Sequence, residues 1–186
     1  GIDISNDGKD LYIINMFEKK LHRINIGNPL KSSFSTADVT GTWVIPNPGL
    51  AGTIWRPMAV KVQNDKIYVG GVTVRETTGK HDIADTANMR GIVYEFNPVT
   101  NLFTEVLRFP LSHRRGFSNN DYKYEFRNNY WSAWQNNGDI SLTAPLRADL
   151  KAFIGPGSSA SWPSALYYAQ PMLCNIEFDI DGSMIH

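Results

Sequence analysis

Three ionisable residues recur at one place in a repeated pattern. Asp3 lies between Ile2 and Ile4, Lys61 between Val60 and Val62, and Glu177 between Ile176 and Phe178. Each triplet leads into a polar turn: Asn6-Asp7-Gly8, Asn64-Asp65 and Asp179-Ile180-Asp181-Gly182. The intervals are 58 residues from Ile2 to Val60 and 116 from Val60 to Ile176, the second twice the first. Charges at equivalent positions of a repeat can converge on a common axis, so Asp3, Lys61 and Glu177 are candidates for a polar ring lining a channel. Calcium in such a ring would need further oxygen ligands, about six to eight in all. The lysine at the middle position argues against a cation site. The competing role for all three is pairing with polar groups of the neighbouring repeat.

A second group is aromatic. Tyr122, Tyr124, Tyr130, Trp131 and Trp134 stand among Asn and Ser residues in a stretch without the repeat's strand-turn-strand pattern. Tyr130, Trp131 and Trp134 could stack on the faces of a sugar, or pack the stretch onto its support. Elsewhere the signals for chemistry are thin. His22, His81, His113 and His186 are scattered, and a general base needs an oriented partner. No HExxH pair, cysteine-rich metal spacing, GxSxG elbow or phosphate-cradling glycine loop occurs. No catalytic residue, cofactor or metal ligand is assigned, and the expectation is a protein that is not an enzyme. Asp179, Asp181 and Gly182 resemble the start of a calcium loop, but only four residues follow Gly182, so a hairpin turn is expected there. His113-Arg114-Arg115-Gly116 is the one local basic cluster, read as a solvated turn. Cys174, the single cysteine, excludes an intrachain disulfide and sits in an apolar run, where a buried inert thiol is expected.

Composition narrows the partners. Eighteen basic residues balance eighteen acidic ones, which removes the electrostatic case for nucleic acid or an anionic membrane. Apolar residues make up 42% of the chain, enough for a core. No stretch approaches the ~20 apolar residues that span a bilayer.

The elements that must position these residues are β-strands. Met58-Ala-Val-Lys-Val-Gln63, the turn pair Asn64-Asp65, and Lys66 to Val74 read as a hairpin. Gly91 to Phe96, the turn Asn97 to Asn101, and Leu102 to Phe109 supply two more strands. Four strands in order form a meander, the unit of a propeller blade. Residues 1–26 repeat the scheme in miniature around Asp7-Gly8, and the Ser-, Thr-, Gly- and Pro-rich stretch 32–52 is placed as an outer strand followed by a crossover. Met172 to Ile185 reads as strand, turn and the start of the next strand. The expected fold is therefore all-β: a partial β-propeller with two blades, the start of a third, and a long aromatic insertion. Residues 1–54 form the first blade and crossover, 55–112 the second blade, 113–168 the insertion, and 169–186 the start of the third. The doubled interval also admits a weak blade hidden within the insertion. Leu142 to Phe153 suggests a short helix there. Gly1 runs directly into the first strand, and no signal peptide is expected within this stretch. The expectation is a piece of a larger propeller domain, held by the remainder of the same polypeptide or by a cell-surface protein complex.

Three phrases carry a resemblance. Asp3-Ile-Ser-Asn-Asp-Gly-Lys-Asp-Leu-Tyr12, Arg56-Pro-Met-Ala-Val-Lys-Val62 with Lys66-Ile-Tyr-Val-Gly70, and Gln170-Pro-Met-Leu-Cys-Asn-Ile-Glu-Phe-Asp-Ile-Asp-Gly-Ser-Met184 stand in that order. Together they resemble the β-propeller region of large multidomain, adhesin-like surface proteins of the Bacteroidota. The resemblance implies an extracellular, cell-surface location and, for gliding members, type IX secretion. It brings no catalytic motif. The leading expectation is a non-enzymatic binding module of an exported bacterial surface protein, an adhesin or gliding-type component, with the insertion as partner contact. The alternatives are a propeller hydrolase or lyase with a channel metal ion, and a carbohydrate-binding propeller contacting a glycan through its aromatic residues.

Overall fold

The computed structural model describes residues 1–74, 76–77, 88–112, 131, 134–135 and 171–185. In chain order the strands are β1 (Ile2–Ile4), β2 (Asp10–Asn15), β3 (Lys20–Asn25), β4 (Val39–Val44), β5 (Ile54–Gln63), β6 (Lys66–Val74), β7 (Glu76–Thr77), β8 (Arg90–Asn97), β9 (Leu102–Pro110), β10 (Trp134–Gln135), β11 (Glu177–Phe178) and β12 (Met184–Ile185). A single 3-10 turn, Thr36–Asp38, precedes β4 among the described residues, and Ser35 and Asp38 close a capping box around it. The described residues are thus all-β.

The chain divides into two compact units. The first comprises Gly1–Val74, Asn88–Pro110 and Met172–His186. It contains two four-stranded antiparallel meanders, β1-β2-β3-β4 (the first sheet) and β5-β6-β8-β9 (the second), and the pair β11-β12. The second unit comprises Arg75–Ala87 and Leu111–Pro171. There β7 and β10 pair in parallel, with Trp134 opposite Glu76. This pairing joins the excursion after β6 to the insertion, a link that local sequence patterns do not reveal.

The turns follow from local chemistry. Asn64 and Asp65 have φ of 50° and 59°, the left-handed pair that gives a two-residue turn the twist of its strands. Between β1 and β2, Gly8 at φ 71° closes the turn by donating its amide to the Ser5 carbonyl at 2.9 Å. Between β11 and β12, Gly182 at φ 85° does the same to the Asp179 carbonyl, also at 2.9 Å. The carboxylates of that last turn are spent on it, Asp179 Oδ1 accepting from the Ile180 amide and Asp181 Oδ1 from the Ser183 amide. It is therefore a hairpin turn, as its sequence indicates.

The core lies between the first and second sheets. Tyr12, Ile14 and Leu21 of the first meet Val60, Val62, Ile67, Val69, Ile92, Tyr94 and Phe96 of the second, and all are buried. Trp43 and Phe96 pack with ring centroids 4.7 Å apart, and Phe96 meets Phe103 at 4.6 Å. Trp43 also donates Nε1–H to Asn101 Oδ1 at 2.9 Å, tying β4 to the β8-β9 turn.

The opposite face of the second sheet carries the segment ending in β11-β12. Tyr68 packs on Phe178, ring centroids 4.7 Å apart. A Cβ on Gly70 would stand 2.9 Å from both Ile176 Cδ1 and Leu173 Cδ2. The expectation of strand from Met172 up to the turn is corrected: before the turn only Glu177–Phe178 is strand, and Met184–Ile185 follows it as the expected start of the next. Residues 172–176 instead turn Leu173 and Ile176 down onto the sheet, and these two buried anchors are three apart rather than two. Cys174, between them, is exposed, which overturns the expectation of a buried thiol.

Candidate functional site

The three charged residues of the repeat occupy one register position. Asp3 pairs across to Tyr12, Lys61 to Tyr68 and Glu177 to Ile185. Asp3 and Lys61 each bridge to a later element, and Glu177 is the partner that Lys61 reaches. Asp3 Oδ2 accepts the Val62 amide at 2.7 Å, from the first sheet to the second. Lys61 Nζ meets Glu177 Oε2 at 2.7 Å, from the second sheet to β11. This is the inter-repeat pairing that sequence offered as the alternative to a channel ring.

The electrostatics agree with the geometry. The Lys61 ammonium donates to the Glu177 carboxylate and holds its pKa below the usual carboxylate range. The same hydrogen bond raises Lys61, against a smaller opposing effect of burial, and the charges of Glu177 and then Asp3 add to the rise. Positive and negative charge are thus matched at the seam between elements. At the next ladder position Glu95 accepts from Lys66 and, at 3.0 Å, from the Tyr68 hydroxyl. The Lys66 hydrogen bond is the main cause of its lowered pKa. Burial and the bond to Glu95 both raise Tyr68. Tyr68 and Glu95 escaped sequence reasoning, although the pairing of Lys61 with Tyr68 across a two-residue turn was available as a signal.

Among the described residues no group of three or more His, Cys, Asp or Glu side chains stands where it could hold a metal ion. Lys61 and Glu177 are committed to each other, and Asp3 to a backbone amide. His22 lies on β3 with Nδ1 3.0 Å from Thr42 Oγ1, and Nε2 3.8 Å from Glu18 Oε2. Of the aromatic candidates, Trp131 is half-buried and Trp134 stands in β10. Tyr122, Tyr124 and Tyr130 lie outside the described residues, as do the basic cluster 113–116 and the helix expected over 142–153.

Comparison with known proteins adds one partial likeness. Over 80 residues the chain is 36% identical to Colossin-A of Dictyostelium discoideum, covering 43% of this chain and 1% of that protein. The chain thus spans about 1% of the length of the curated relative it matches. No family model and no solved structure matches.

Proposed function

We propose that this chain is a non-enzymatic binding module in which the two meanders and the β11-β12 pair are two blades and the start of a third in a β-propeller. The observation that carries this is the repeated seam. The first sheet meets the second, and the second meets β11-β12, through the same register position and in the same order. Sheets stacked in that way are what a propeller repeats around its axis. The three sequence phrases support placing the module in an exported bacterial cell-surface protein of adhesin or gliding type. Its ionisable side chains at the seam serve cohesion between sheets, which favours binding over hydrolysis or lyase chemistry.

Two measurements test the reading. Electron microscopy of the natural polypeptide should show discs with a central channel, and an elongated stack would refute the propeller. Antibodies against this chain should label intact, unpermeabilised cells, and labelling only after permeabilisation would refute the surface assignment.

A further inference from the structure

The first sheet buries one face and leaves the other bare. Ile2 is 62% exposed, Ile4 50% and Val44 69%, and the same face carries Leu11, Ile13 and Ile24, each half-buried. Ladder registers show what this face is. Ile2 pairs with Ile13 as Val60 does with Val69, and Ile4 with Leu11 as Val62 does with Ile67. Leu11 pairs with Ile24 as Ile67 does with Phe96. In the second sheet Val60, Val62, Ile67, Val69 and Phe96 are all at most 7% exposed, because the first sheet covers them. At Ile2, Ile4, Leu11, Ile13 and Ile24 the bare face is therefore the positional equivalent of a buried one, while His22 and Lys20 stand where the second sheet has Tyr94 and Ile92.

We propose that this face is covered by a further four-stranded sheet of the same repeat, belonging to the same polypeptide. The stacking is head-to-tail: the Tyr12 face of one sheet meets the Val60-type face of the next, and the Tyr68 face of the second sheet meets Ile176 and Phe178 in turn. A head-to-tail contact is not self-complementary, so two copies meeting face to face would not reproduce it. The covering sheet presents an apolar face bearing an aromatic residue at the Tyr12 position, with a hydrogen-bond acceptor at the Asp3 position, beside the Ile4 amide. Ile4 now donates to its own neighbour, Asp3 Oδ1, at 2.9 Å. The matched stretch of Colossin-A likewise lies within a far longer chain. The inference rests on head-to-tail stacking and not on closure of the stack into a ring, so an elongated particle would refute the propeller and leave it standing.

The test is thiol labelling of Ile13→Cys in the natural polypeptide and in the 186-residue chain, read at that residue by peptide mass spectrometry, with Phe17→Cys, 95% exposed, as the reference. Ile13→Cys should react at least about tenfold more slowly than Phe17→Cys in the natural polypeptide, a protection of roughly 1.4 kcal/mol or more. In the 186-residue chain, where Ile13 is half-buried, it should react several-fold faster than in the natural polypeptide. Fast reaction in both would overturn the proposal. So would slow reaction in both, whether the short chain is a dimer by native mass, which makes a second copy the occupant, or a monomer. Circular dichroism and a cooperative urea transition establish that each variant is folded.

Discussion

Gly70 and Gly71 are neighbours on β6, yet an added methyl group should cost very different amounts. On Gly70 the new Cβ would meet Ile176 Cδ1 and Leu173 Cδ2 at 2.9 Å, and Leu173 Cγ at 3.2 Å. These are side-chain atoms that can give way by a few tenths of an ångström. On Gly71 it would run into the Arg56 carbonyl oxygen and stand 2.7 Å from Pro57 Cα and from the Trp55 ring. That backbone belongs to the β5 irregularity between Pro57 and Ala59, and Trp55 is fully buried, so nothing there can yield. Both substitutions gain about 0.4–1 kcal/mol from a stiffer unfolded chain. Overpacking costs about 1–3 kcal/mol, with fixed backbone at the top of that range or above it. Gly70→Ala should therefore fall within about 1 kcal/mol of neutral, and Gly71→Ala should lose about 2 kcal/mol or more. Urea unfolding gives the two values, and amide exchange gives their location. Gly70→Ala should speed exchange only in residues 172–178, and Gly71→Ala along the β5-β6 ladder. A reversed order of stability, or Gly70→Ala loosening β5 while residues 172–178 stay protected, would refute the packing described for both faces of this sheet.

Phe96→Ala removes a fully buried ring shared with Trp43 and Phe103 between the two meanders, and should cost about 3–5 kcal/mol in the same urea assay. A loss under about 1 kcal/mol would mean that the sheets are not held by this cluster. The Lys61–Glu177 bridge should stabilise the docking of β11-β12 only while both groups are charged. Because the Glu177 pKa is lowered, its contribution is complete above the unfolded value of about 4.3 and disappears as pH falls through the folded value. Because the Lys61 pKa is raised, its contribution is complete below about 10.4 and disappears as pH rises through the folded value. Amide protection of Glu177–Phe178, corrected for intrinsic exchange, should exceed that of Glu177→Gln at neutral pH and match it at about pH 2. A difference that persists in acid would assign the effect to packing rather than charge.

Much of the ladder was legible because it is local. Asn64-Asp65 and Asp7-Gly8 announce left-handed turns, and runs such as Lys66 to Val74 can only be strand between them. The triplets around Asp3, Lys61 and Glu177 showed that the repeats share a register, and both bridging contacts arise at that position. The same reading erred where local pattern and packing diverge. Residues 172–176 look like strand, but the open face of the second sheet draws Leu173 and Ile176 inward and leaves Cys174 in solvent.

The sequence by itself determined strand, turn and register, since alternation and positive-φ residues act over a few positions and need no distant partner. Tertiary structure decided which face of each sheet is covered. Ile2, Ile4, Leu11 and Ile13 are as apolar as Val60, Val62, Ile67 and Val69, so hydrophobicity cannot tell a bare face from a buried one. It also decided the fate of the charges. Whether a lysine between two valines lines a channel or closes a seam depends on what stands 2.7 Å away, and here that is Glu177, 116 residues further along the chain.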